Sequence, residues 1–148
     1  MRCRLDWTDA ILDVQREYVA MELGSEYLRI AVKEDPTILW RDPRAELVDK
    51  ASDNLQETYL VRLYAVFENG LRNFWINSIR GTEPPMRQLL DAVSSRRKIP
   101  FHLSENAHSV RIFRNAIVHE NSEKSEVIDI REARSHLCTF FARLPSNW

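Results

Sequence analysis

Between Tyr59 and Trp75 the chain sets Leu60, Leu63, Tyr64, Phe67, Leu71, Phe74 and Trp75 at intervals of mostly three and four residues. That spacing winds large apolar side chains onto one wide face of an α-helix and onto no single face of a strand. So long a stripe has to be covered on folding. The cover must come from other helices, because no stretch of the sequence keeps the two-residue alternation of a strand. Three glycines and six prolines in 148 residues are also too few for the tight turns of an all-β chain. The expectation is an all-α fold, an up-and-down bundle of four to five helices forming a single domain over residues 1–148.

The remaining helices follow from punctuation and periodicity. A first helix is expected over residues 6–34, capped by Asp6 or Thr8. Ile11, Leu12, Val14, Tyr18, Met21, Leu28 and Val32 lie on its apolar side, and Gly24-Ser25 is a point where it could kink. Asp35-Pro36 ends it, and Trp40 in the following connection is expected to fold back on the core. A second long helix, 44–80, opens at Pro43, carries the stripe and closes at Arg80-Gly81. Gly70 inside it would cost about 1 kcal/mol against alanine, which implies close packing against another backbone. A third helix spans about 85–95 and ends in a basic loop, Ser94 to Pro100. A fourth, Glu105–His119, is capped by Ser104 and buries Val110, Phe113 and Ile117. A fifth starts at the Asp129/Glu132 capping box and buries Ala133, Leu137, Phe140 and Phe141.

No apolar run reaches the roughly 20 residues of a membrane span, so no membrane partner is expected. The first residues lack the apolar segment of a secretory signal. Cys3 and Cys138 have neither metal-ligand spacing nor a framework of partners and read as the reduced thiols of a cytoplasmic protein. No metal and no cofactor is expected. The net charge of −1 conceals a segregation: residues 1–58 carry −5 and residues 59–118 carry +5. A basic middle can steer a polyanion although the whole is almost neutral; the same segregation also fits solvated helix faces.

The fourth helix carries the chemistry. Arg-x4-His occurs three times, at Arg97/His102, Arg114/His119 and Arg131/His136. The first pair straddles Pro100 in an expected loop. The last lies inside a regular helix, where five residues rotate the chain by about 140° and advance it roughly 7.5 Å, so the side chains diverge. Arg114 and His119 differ because Asn121 and Ser122 are expected to stop the helix at once. A histidine in that last turn can swing toward the arginine side. Asn115 beside the arginine supplies an orienting amide. Glu68, on the margin of the stripe, either reaches solvent or answers a buried cation such as Arg114. Taken singly, His119 also reads as a helix-end histidine welcomed by the carbonyl end of the dipole. Arg114 likewise reads as a surface arginine covering Phe113 and Ile117 with its stem.

Arg114-Asn115-x-x-x-His119, late in the fourth helix of a small all-α chain, resembles the HEPN superfamily (higher eukaryotes and prokaryotes nucleotide-binding), with two long helices, the motif helix and a closing helix through Phe140 to Pro145. The resemblance implies a metal-independent endoribonuclease of toxin or antiphage-defence type. It implies a homodimer whose Arg/His pairs form a composite site, a helical polar residue such as Glu68 in support, and room for a cognate antitoxin protein. The subgroup paired with nucleotidyltransferase antitoxins has tyrosine two residues after the histidine. Here that residue is Asn121, so nucleotidylation at that position is not expected.

The two residue types suit RNA cleavage without metal. An imidazole of ordinary pKa near 6.5 can take the ribose 2′-hydroxyl proton at neutral pH. A guanidinium stays charged and spans two phosphate oxygens. His119 is the expected general acid/base and Arg114 the group that stabilises the phosphorane; the products would be a 2′,3′-cyclic phosphate and a 5′-hydroxyl. Arg72, Arg111 and Arg97 are candidate RNA phosphate contacts. The alternative is a non-catalytic HEPN-like module that binds RNA or a nucleotide, or that only dimerises.

Overall fold

The apolar stripe becomes the centre of the molecule. In a computed structural model, which describes residues 3–39, 44–79, 81–119 and 125–148, the chain forms six α-helices and no strand among those residues. They are α1 (Arg4–Glu34), α2 (Ala45–Asp53), α3 (Leu55–Ser78), α4 (Met86–Arg97), α5 (Phe101–Val118) and α6 (Ile130–Phe141), with a 3-10 turn at Pro36–Leu39. The class is all-α as expected, with one helix more than the expected four to five. No described helix is long and apolar enough to cross a membrane. Trp40, Pro43, Arg80, Asn121 and Ser122, each given a role above, lie outside the described residues.

Leu60, Leu63, Tyr64, Phe67 and Leu71 of α3 are all essentially inaccessible, and α1, α5 and α6 pack around them. Burying a side chain of this size stabilises the fold by about 1.5–3 kcal/mol. Phe67 is the hub, its ring centroid 4.8 Å from Phe141, 5.7 Å from Phe140 and 5.8 Å from Tyr64. Gly70 is needed for a different reason from the one its position suggested. What approaches it is two aromatic side chains and not a backbone: a Cβ there would stand 2.7 Å from Phe141 Cζ and 3.0 Å from Trp7 Cδ2.

Several boundaries moved. Helix 44–80 is two helices, broken at Asn54, whose N–H closes on the carbonyls of Lys50 and Ser52. α1 starts before Asp6: Cys3 is its cap, and the Asp6 carboxylate accepts from the Cys3 N–H at 2.6 Å. Thr8, also expected as a cap, turns its hydroxyl back onto the Arg4 carbonyl. The helix is continuous through Gly24-Ser25, and Met21 and Leu28, placed on its apolar side, are exposed. α4 runs to Arg97 and stops when Lys98 takes a left-handed conformation, φ 51°. α5 starts at Phe101 behind Pro100, four residues earlier than expected, so His102 is in its first turn and not in a loop. Ser104 is therefore no cap; its buried hydroxyl accepts from Ser94 of α4 at 2.9 Å. At α6 the Asp129 half of the expected box is present: its carboxylate accepts from the Arg131 and Glu132 N–H groups, while the Glu132 carboxylate faces His136, and Ala133, Leu137, Phe140 and Phe141 are buried.

The chain ends are tied together. Cys3 and Asn147 form an isolated antiparallel bridge, and the Arg4 guanidinium donates to the carbonyls of Leu144 (2.8 Å) and Ala142 (3.3 Å). Trp148 stands edge-on to Phe74 and donates its indole N–H to Asn73 Oδ1 at 3.1 Å.

Candidate active site

Tyr64, Glu68 and Arg72 recur every four residues and so share one line along α3. On α5, Arg111, Arg114 and Asn115 fall within four residues, again on neighbouring surface. The two groups meet, since the Tyr64 hydroxyl feels the charges of Glu68, Arg111, Arg114 and Arg72 together. Burial and the Glu68 carboxylate push the Tyr64 phenol well above its ordinary pKa, against the pull of the three arginines. The phenol therefore stays protonated, a neutral hydroxyl that can donate or accept a hydrogen bond.

Glu68 does not answer Arg114. Its Oε1 accepts from Arg72 Nε at 3.0 Å and Nη2 at 2.7 Å, and the same guanidinium also binds Glu83. Burial works against the Arg72 charge, but the hydrogen bonds to Glu68 and Glu83 outweigh it and raise its pKa. One cation thus absorbs both carboxylates. Arg111 and Arg114, a turn apart on α5, are left half-buried with no carboxylate partner among the described residues. Their Nε atoms and the Tyr64 hydroxyl are buried with no hydrogen-bond partner among those residues. Buried polar groups are nearly always paired, so three such atoms in one neighbourhood single it out as the candidate site.

Asn115 links the arginine to the histidine. Its side-chain oxygen accepts from Arg114 Nη1 at 3.1 Å, and its main-chain carbonyl accepts the His119 N–H at 2.9 Å. α5 stops between them, at Val118; His119 has extended angles, φ −124° and ψ 114°, and its side chain is exposed. Arg97 is elsewhere. It ends α4 beside the start of α5, and Phe101 to Arg114 is a climb of roughly 20 Å along the helix axis. Of the phosphate candidates, Arg72 and Arg111 join the cluster and Arg97 does not. His136, in the third Arg-x4-His, faces Glu132 on α6 at 3.4 Å.

Sequence reasoning missed Tyr64, whose place in the stripe made it look purely apolar, and it missed the neighbourhood of His108. His108 Nε2 lies 2.8 Å from Asp91 Oδ1, bridging α5 to α4 beside a cleft of about 320 Å³ lined also by Arg87, Glu105, Arg111 and Ile112. The available signal was helical spacing: His108, Arg111, Asn115 and His119 fall at i, i+3, i+7 and i+11. No family model matches the chain, and no curated protein or solved structure matches it either. Fold and side chains together define a helical chain with an arginine pair that no carboxylate among the described residues neutralises, followed by a histidine just past a helix end.

Proposed function

We propose that the chain is a metal-independent endoribonuclease of the HEPN toxin or antiphage-defence type, acting as a homodimer in which Arg114 and His119 of two copies share one cleft. The observation that supports this most is the Asn115 bridge. It holds the Arg114 guanidinium through its side chain and the His119 backbone through its carbonyl, at the point where α5 stops. His119 has extended angles, so its imidazole is not bound to the direction that a regular helix would impose five residues after Arg114.

In this reading the His119 imidazole takes the 2′-hydroxyl proton, and the 2′-oxygen attacks the adjacent phosphorus. Arg114 neutralises the charge that builds on the phosphorane oxygens. The second copy's imidazole, as imidazolium, gives its proton to the leaving 5′-oxygen. Arg111 and the Tyr64 hydroxyl beneath the arginines are the remaining donors on that side, and the orphaned Nε atoms become useful once an oxyanion draws the guanidinium groups toward it. Arg72, fixed by Glu68 and Glu83, is a positioned charge and does not move to substrate.

The test is incubation of total RNA with the purified chain in excess chelator, followed by end-group analysis. Arg114→Ala and His119→Ala should each lower the rate by roughly 100- to 10,000-fold with helicity unchanged. Saturable, salt-sensitive RNA binding without new ends at any concentration would instead favour a non-catalytic binding module.

A further inference from the structure

α1 is apolar on two faces. Trp7, Ile11, Val14, Tyr18 and Val32 point to the core. About 150° around the helix, at 100° per residue, lie Val19, Leu23, Tyr27 and Ile30, which are 42%, 59%, 68% and 46% exposed, with Ala20 beside them. Leu23, Tyr27 and Ile30 with Ala20 follow the four-three spacing of a coiled-coil seam. The stripe carries no charge between its ends, and its ends are opposite in sign: Arg16 closes one and Glu34 the other.

We infer that this face of α1 is an interface between two copies of the chain, the two α1 helices running antiparallel about a two-fold axis near residue 25. A two-fold interface sets the same patch against itself. In a parallel pair Arg16 would meet Arg16 and Glu34 would meet Glu34. In the antiparallel pair Arg16 of each copy meets Glu34 of the other, Ala20 meets Ile30, and Leu23 meets Tyr27, so charge complementarity selects direction and register. The ion pair Arg16 makes in the free chain does not stand in the way. It is with Asp13 at 2.9 Å, both side chains more than half exposed, and such pairs exchange at little cost. Glu26 flanks the axis, where Arg29 lies 3.8 Å from it and offsets its charge. Gly24, where a Cβ would meet nothing within 4 Å, leaves the centre unobstructed.

This surface is separate from the proposed catalytic junction. α1 packs on α2, α3 and α6, whereas α5 packs on α3, α4 and α6, and the exposed stripe faces away from that core. A seam from residue 16 to residue 34 is about 27 Å long, at the small end of specific interfaces. A weak, concentration-dependent association is expected.

The experiment is sedimentation equilibrium of the full chain over a wide concentration range, with circular dichroism to check helicity. The parent should self-associate through this seam in addition to forming the homodimer of the proposed function. Leu23→Lys should abolish this association while leaving RNA cleavage per chain unchanged. Arg16→Glu and Glu34→Arg should each raise the dissociation constant by about 10-fold, and the double exchange Arg16→Glu/Glu34→Arg should return it to within about 3-fold of the parent. A parent whose concentration-dependent association contains no step that Leu23→Lys removes would overturn the interface. Association lost in Leu23→Lys but unmoved by the single charge reversals would overturn the antiparallel register.

Discussion

At the junction of the chain ends the Arg4 guanidinium reaches the Leu144 and Ala142 carbonyls and the Trp148 indole reaches Asn73, so charged and polar donors brought under cover find acceptors there. Around Tyr64, nine residues back along α3 from Asn73, the opposite holds: the Arg111 and Arg114 Nε atoms and the Tyr64 hydroxyl are buried without acceptors among the described residues. Both regions are built on the same aromatic core, and Phe141 and Phe74 support the first as Phe67 supports the second. Packing therefore does not explain the difference. Among the described residues the fold satisfies its donors at the termini and not near the end of α5, a contrast that the proposed site would account for.

Substitutions can break this comparison. The largest effect is expected at the shared core, where Gly70→Ala should destabilise by about 1–3 kcal/mol because Phe141 and Trp7 have no room to retreat; the gain in helix propensity is smaller. A urea titration gives the value, and Gly24→Ala, which meets nothing, should instead stabilise by about 0.5–1 kcal/mol. At the satisfied junction Arg4→Met should cost about 1–2 kcal/mol, since two carbonyls lose a charged donor.

At the unsatisfied cluster the sign should reverse. Tyr64→Phe removes a hydroxyl that has no partner among the described residues and should be neutral or stabilising by up to about 1 kcal/mol in the same titration. A loss of more than that would show that the hydroxyl is paired in solution, and the contrast between the two regions would disappear. The smallest effect is seen only in alkali. Burial, the Glu22 hydrogen bond and the Glu22 charge push the Tyr18 phenol up to about 12, and Tyr64 is raised as well. A raised folded pKa favours the native state fully below the unfolded value near 10, and this stabilisation is lost as pH climbs from there through about 12. Ultraviolet titration of tyrosinate should show a late-ionising fraction in the native protein, and urea midpoints should fall over the same window.

Much of this was readable from the residues. The α3 stripe announced a helical core because seven apolar positions share one face, and Asp129 announced the start of α6 because a carboxylate there can accept two free N–H groups. The break at Asn54 was not readable, since neither glycine nor proline marks it. The start of α5 was misplaced because Ser104 is a good cap by type, whereas Pro100 already begins the helix and Ser104 is buried against Ser94. At the site, Arg114, Asn115 and His119 stood out by spacing and by the approaching helix end. Glu68 was assigned a distant cation, yet Arg72 one turn along the same helix is prepositioned for it and takes it first. What no local pattern could reveal is which rings crowd Gly70, because Trp7 and Phe141 come from the two ends of the chain.

The account rests most heavily on the pairing of Arg114 with His119, and one comparison tests it directly: cleavage of an oligoribonucleotide, and of the same oligomer carrying a single 2′-deoxy sugar at the cut position, by the parent chain and by His119→Ala in excess chelator. The predicted result is a 2′,3′-cyclic phosphate and a 5′-hydroxyl end from the parent on the all-ribose strand alone, with His119→Ala slower by roughly 100-fold or more. Cleavage of the 2′-deoxy strand at the same bond, or a His119→Ala protein as fast as its parent, would contradict it.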